Sequence, residues 1–107
     1  MRFSVHISGR AEQNIRDLSQ WIAKHSRAGA FRWLDALEEV VDRLADSAET
    51  YPLAAESSSL PFPVQEITFR TPKGRRYRAL FSREGNRVDV LCIRGPGQPP
   101  AAASDFE

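Results

Sequence analysis

The sequence predicts an α+β domain, in which an antiparallel helical hairpin lies on one face of a mostly antiparallel sheet. Three observations support this class: a short alternating segment at the start of the chain, two amphipathic helical patterns after it, and three strand-like segments in the second half. A chain of 107 residues has the length of one domain. We expect residues 1–98 to form that domain and residues 99–107 to be a flexible C-terminal tail.

The first strand is predicted over residues 2–7. Phe3, Val5 and Ile7 alternate with polar residues, so they would share the buried face of a strand. Apolar runs are no longer than four residues, and no charged and apolar leader precedes this strand. We therefore expect no membrane span, no membrane partner and a cytoplasmic location.

Two helices are predicted to follow the first strand. The first runs from about residue 10 to residue 24, with Ser8 as its N-cap. The second begins near Ala28 and ends before Pro52, because the residue before a proline is disfavoured in a helix. Its buried stripe is predicted at helical spacing: Ala30, Leu34, Leu37, Val41, Leu44 and Ala48. About three residues would separate the helices, which favours a tight antiparallel hairpin.

Trp21 and Trp33 lie just outside the two predicted apolar stripes. Such aromatic residues can pack across the hairpin, or they can stay exposed until a partner covers them. The sequence leaves both interpretations open.

Three strands are predicted in the second half, after a loop over residues 53–63. They cover residues 64–70, 77–83 and 87–94, with turns at 72–74 and 84–86. Simple alternation places the last strand's residues on two faces: Val88, Val90 and Cys92 on one, and Asp89, Leu91 and Ile93 on the other. Both faces are largely apolar, which predicts a central position in the sheet.

The sequence gives little support to metal, cofactor or disulfide chemistry. His6 and His25 lie far apart, and neither has acidic residues at a ligand spacing. Cys92 is the only cysteine, and its apolar strand predicts a small buried side chain. We expect no metal site and no cofactor.

Positive charge gathers in residues 67–98, which hold eight Lys or Arg and two Asp or Glu. Residues 1–53 hold seven Lys or Arg and eight Asp or Glu. Such a distribution can present a cationic face to phosphates or to an acidic partner. Six of these residues are candidates for binding a nucleic acid or another target: Arg70, Lys73, Arg75, Arg76, Arg83 and Arg87. Arg78 and Arg94 lie on neighbouring predicted strands, where two guanidinium groups can hold a phosphate. A non-catalytic nucleic-acid-binding module that uses this sheet face is one reading of the pattern.

The second half also carries three motifs in a fixed order: Tyr77-Arg78-Ala79-Leu80-Phe81, Glu84-Gly85-Asn86, and Val88-Asp89-Val90-Leu91-Cys92-Ile93-Arg94. Following a strand and a helical hairpin, this order resembles the RelE/ParE superfamily of toxins from type II toxin–antitoxin systems, over residues 2–98. The resemblance implies a growth-inhibiting protein that a cognate antitoxin neutralises, with a toxin–antitoxin hetero-oligomer as one form. It implies either ribosome-dependent mRNA cleavage, as in RelE-like members, or inhibition of DNA gyrase without cleavage, as in ParE-like members.

Under the first of these actions, the resemblance assigns catalytic roles to Arg78 and Arg94, with no metal. Glu56 or Glu66 could then reach the site as a general base. The chain has no tyrosine after Arg94, where the nuclease members usually carry one, and it has Gln65-Glu66 where members commonly carry an arginine. The acid–base set is therefore incomplete, which slightly favours the non-cleaving action and leaves open whether the chain is an enzyme.

Overall fold

The computed structural model describes residues 2–106 and confirms the predicted α+β order. Strand β1 (Ser4–Ile7) precedes two helices, α1 (Gly9–His25) and α2 (Arg27–Ser47). Three further strands follow: β2 (Gln65–Phe69), β3 (Tyr77–Glu84) and β4 (Arg87–Arg94). Short 3₁₀ helices cover Ala48–Thr50, Ala55–Ser59 and Ala103–Phe106. Within residues 2–106, neither long helix has the length and apolar content that a bilayer crossing requires.

The four strands form one sheet in the order β1-β4-β3-β2. β1 pairs with β4 in parallel, and the other two pairings are antiparallel. The sheet is therefore mostly antiparallel, and β4 occupies the central position that its apolar faces predicted.

A single residue joins the two helices, fewer than the three that the sequence suggested. Ser26 has an extended backbone, and its N–H donates to the Ile22 carbonyl at the end of α1. Its side-chain oxygen accepts from the Gly29 N–H at 2.9 Å and so caps the start of α2. One serine ends one helix and begins the next, because its N–H and its hydroxyl serve different helices.

The buried stripe of α2 lies partly one residue away from the predicted one. Trp33 and Val40 are buried, whereas Leu34 is exposed and Val41 is half-buried. The cause is the Trp33 ring, whose centroid lies 5.9 Å from that of Phe69 and 5.4 Å from that of Tyr77. This large side chain packs against the sheet and turns the helix accordingly. The two tryptophans therefore differ, because Trp21 is exposed.

A β-bulge in β4 changes which side chains face the helices. Leu80 pairs with Cys92, whereas the next residue, Phe81, pairs with Val90, so Leu91 is an extra residue in β4. Val88, Val90 and Ile93 consequently belong to the core under the helices, while Cys92 faces the other side of the sheet. The prediction that Cys92 shares a face with Val88 and Val90 is wrong, because an extra residue reverses the alternation beyond it.

The sheet face away from the helices has a smaller apolar cluster of its own. Ala54, Val64, Leu80 and Cys92 are buried there, with Leu60, Leu91, Ala101 and Phe106 packed around them. The segment before β2 and the segment after β4 therefore both lie over this face. The predicted flexibility of residues 99–107 stays a prediction, and Met1 and Glu107, the outer limits of the predicted domain and tail, lie outside the described residues.

Candidate functional site

The most concentrated group of charges on this second face is the Arg78 cluster, which consists of Arg78, Glu56 and Glu66. The two terminal guanidinium nitrogens of Arg78 donate to the two carboxylate oxygens of Glu56, at 2.7 and 2.9 Å. The Arg78 Nε donates to Glu66 Oε1 at 2.5 Å. Such a bidentate, charge-assisted pair is among the stronger polar contacts in proteins. The guanidinium is thus held by two carboxylates from different parts of the chain.

Strand register and a 3₁₀ helix bring these three residues together. Thr68 of β2 pairs with Arg78 of β3, which sets Glu66 two residues along the same face of the sheet. Glu56 lies in the Ala55–Ser59 helix, which is held against the sheet beside β2 by backbone and side-chain hydrogen bonds to Val64. The sequence indicated that Glu56 or Glu66 could reach Arg78, and the structure places both against it.

The hydrogen bonds between Arg78 and Glu56 favour the charged forms of both side chains. The Glu56 side chain is only 3 % exposed. The hydrogen bonds from Arg78 nevertheless lower its pKa from 4.5 to about 2, against the opposing effect of burial. The same pairing raises the pKa of Arg78 above its usual range. Glu56 is therefore ionised throughout the physiological range of pH.

Arg94 lies beside Arg78 because of the bulge at Leu91. The two arginines are paired residues on β4 and β3, so their side chains leave the sheet on the same face. Simple alternation along β4 would have put Arg94 on the helix side. Arg94 donates through one terminal nitrogen to the Pro99 carbonyl at 2.6 Å, and its other terminal nitrogen lies 3.8 Å from an Asp105 oxygen.

The Arg94 side chain is only 12 % exposed. Its Nε is buried and has no acceptor within residues 2–106. Sequence reasoning did not identify Pro99 or Asp105 as its partners, because residues after β4 follow no periodic pattern.

Tyr77 is separated from this pair of arginines by the sheet itself. Its ring packs between Trp33 and Phe69 in the core under the helices, where burial raises the pKa of its phenol. Although it adjoins Arg78 in sequence, it faces the opposite way, as the alternation predicted.

Four of the predicted binding residues lie together in the cationic turn, which we define as residues 70–76 between β2 and β3: Arg70, Lys73, Arg75 and Arg76. Residues 67–83 contain six Lys or Arg and no acid. Arg75 also lines an apolar groove of about 460 Å³ beside Trp21 and Trp33. Within residues 2–106, none of the four cations of the turn forms an ion pair with a carboxylate.

The other two predicted binding residues lie elsewhere and have neighbours of their own. Arg83 donates to Gln65 Oε1 at 2.7 Å and lies 5.9 Å from the centroid of the Phe3 ring. Arg87 pairs with Asp89 at 3.0 Å, and the hydrogen bond from Arg87 to this carboxylate raises the pKa of Arg87. The structure therefore divides the eight cations of the second half into three separate groups.

The thiol on the same sheet face as Arg78 and Arg94 is not an available nucleophile. Cys92 is buried in the apolar cluster, and burial raises its pKa to about 11. Among residues 2–106, no three His, Cys, Asp or Glu side chains are grouped as metal ligands would be.

Comparison with known proteins identifies a family. Residues 5–98 match the family model described as the ParE toxin of a type II toxin–antitoxin system, parDE. No curated protein matches the chain. The matched region begins in β1 and ends four residues after β4, so it includes both helices and the whole sheet except the first residue of β1.

Proposed function

The chain belongs to the ParE toxin family of type II toxin–antitoxin systems, and from this membership we propose that it inhibits growth by acting on DNA gyrase without cutting nucleic acid itself. A toxin of such a system has a cognate antitoxin as its partner. The family match covers most of the chain, so the proposal concerns the whole described domain.

The Arg78 cluster is the observation that favours a non-cleaving action. Metal-free RNA cleavage needs a general base, a general acid and cations that are free to stabilise the developing charge. The charge of Arg78 is already balanced by Glu56 and Glu66. A carboxylate with a pKa of about 2 is a poor base near neutral pH, because it hardly binds a proton there. In this arrangement the cluster supports the fold rather than a reaction.

The cationic turn is then the best candidate for contact with the target. Its four cations are exposed and form no ion pair with a carboxylate of residues 2–106. Complementary charge between such a surface and an acidic partner increases the association rate and the specificity. Arg83 and Arg87 remain weaker candidates, since Gln65 and Asp89 already engage them.

A supercoiling assay with purified gyrase tests this proposal directly. We expect the purified chain to inhibit supercoiling of relaxed plasmid DNA, and the Arg75→Glu/Arg76→Glu variant to lose about tenfold or more in potency. The matched control is Arg2→Glu/Arg16→Glu, which reverses two exposed cations away from the turn and should keep full potency. In cells that express the chain, mRNA should show no new 5′ ends inside reading frames.

Ribosome-dependent mRNA cleavage is the second candidate, and one observation favours it. Arg78 and Arg94 are paired on one face of the sheet, an arrangement that could hold a scissile phosphate if their present partners moved away. Growth arrest with new cuts inside reading frames, and with gyrase unaffected, would establish this function instead. Absence of growth arrest together with salt-dependent nucleic-acid binding would favour a non-catalytic binding module.

A further inference from the structure

The C-terminal segment, residues 99–106, crosses the sheet face on which the Arg78 cluster lies; we call it the strap. Phe106 and Ala101 pack against the apolar cluster that contains Leu80 and Cys92. The residues between β4 and the strap include Gly95, Pro96 and Gly97, and Gly97 has a positive φ of 81°. A turn precedes the strap, so the strap is attached to the sheet through its own contacts and not as an extension of β4.

The polar contacts that hold the strap all end at two sites on the sheet side. The Pro99 carbonyl and the Asp105 carboxylate lie on Arg94. The Ala101 N–H donates to Glu56 Oε2 at 3.0 Å, the same oxygen that accepts from Arg78. A carbonyl, a carboxylate, an N–H and an aromatic ring are thus bound along one short stretch. These are the groups of a short peptide whose acid and neighbouring aromatic residue lie in one 3₁₀ turn, where the Asp105 carboxylate also accepts from the Ala102 N–H at 2.7 Å.

The strap leaves one polar group of this surface without a hydrogen bond. The Arg94 Nε remains without an acceptor in residues 2–106, although it is buried. Asp105, at 3.8 Å, lies beyond hydrogen-bond distance of the guanidinium. A buried donor without an acceptor costs free energy, so a ligand that reached Nε would gain a hydrogen bond that the strap does not make.

We propose that the strap opens locally and that the uncovered surface, formed by Arg94, Glu56, Leu80 and Cys92, docks a short protein segment with an acid next to an aromatic residue. The strap is then a competitor within the chain that lowers the affinity for this partner. Identifying the partner as the antitoxin rests on the proposed function, whereas the docking surface itself does not. A peptide is favoured over a nucleic acid, because apolar side chains and Glu56 form most of this surface.

Cys92 provides a direct test of opening, because it is the only cysteine and lies buried in the cluster that the strap covers. We expect a thiol reagent to label Cys92 at a rate that hardly changes at low urea concentrations. Such a rate indicates local opening, because global unfolding exposes much more surface and therefore depends steeply on urea. Phe106→Ala should increase the labelling rate about tenfold or more, because it removes an apolar contact of the strap. The slope of this rate against urea concentration should stay unchanged. Ser104→Ala is the matched control in the strap, since this side chain is exposed, and it should label like the unaltered chain.

Binding of a labelled peptide with the sequence of residues 98–107 then tests docking in the full chain. The Asp105→Ala/Phe106→Ala variant should bind the peptide at least about tenfold more tightly than the unaltered chain, in which the attached strap competes at an effective concentration on the order of millimolar. A peptide with alanine in place of both residues should not bind to the variant.

Either of two results would overturn the proposal. One is Cys92 labelling that follows only global unfolding in all variants. The other is an opened variant that binds single-stranded RNA but not the peptide. Neither readout uses toxicity, so failure here and failure of the gyrase proposal are separable.

Discussion

Replacing Glu56 by Gln tests whether the Arg78 cluster stabilises the fold through charge. In the folded chain the pKa of Glu56 is about 2, against 4.5 for an ordinary glutamate. A tenfold change in a proton-binding constant is worth about 1.4 kcal/mol, so this difference corresponds to about 3 kcal/mol of stability at pH 7. The stabilisation is complete above pH 4.5 and is lost as pH falls toward 2, because the unfolded chain then binds a proton that the folded chain resists. About 2 kcal/mol of it should already be lost at pH 3.

Urea unfolding of the unaltered chain and of Glu56→Gln at pH 7 and pH 3 measures this directly. We expect the variant to be less stable by about 3 kcal/mol at pH 7 and by only about 1 kcal/mol at pH 3. Glu66→Gln is the matched control: Glu66 makes one hydrogen bond with Arg78 and is 25 % exposed, so its loss should cost about 1 kcal/mol at pH 7. Equal destabilisation by Glu56→Gln at both pH values, or a cost below about 0.5 kcal/mol at pH 7, would refute the reasoning.

Two further predictions concern the helices and can be measured by the same unfolding assay. Trp33→Ala should destabilise the fold by about 3–5 kcal/mol, because it leaves a cavity between α2 and the sheet. Trp21→Ala removes an exposed ring and should cost well under half as much. Similar costs for the two variants would contradict the packing described. Ser26→Ala should cost about 1 kcal/mol by removing the N-cap of α2. Ser19→Ala, at a half-buried position inside α1 where the hydroxyl donates only to the Arg16 carbonyl of its own helix, should be neutral or slightly stabilising. A neutral Ser26→Ala would show that the cap contributes nothing.

The fold was predictable where apolar and polar residues alternate clearly. β2 and β3 interleave such residues, so the burial of Ile67, Phe69 and Ala79 followed from spacing alone. β4 differs, since Val90, Leu91, Cys92 and Ile93 are all apolar and either face would accept any of them. No sequence signal therefore marked Leu91 as the extra residue. The bulge became visible only through the pairing of β4 with β3.

The site was predictable in its residues but not in its electrostatics. Register between neighbouring strands made contact between Glu66 and Arg78 foreseeable. Glu56 and Asp105 come from irregular segments, whose positions depend on packing over the sheet and not on any period. These carboxylates decide how much positive charge the arginines present. A count of cations along the sequence could not supply that information.

The eight cations of residues 67–98 are therefore unequal, and their differences bear on function. Arg78 and Arg94 lie on a face where Glu56, Glu66 and Asp105 supply three carboxylates, so that face carries no excess of positive charge. The cationic turn carries four charges that form no ion pair in the described chain. Long-range attraction of an acidic or phosphate-bearing target depends on this uncompensated charge. The turn should accordingly govern the salt dependence of target binding, while the sheet face should bind through fit and hydrogen bonds and should respond little to salt.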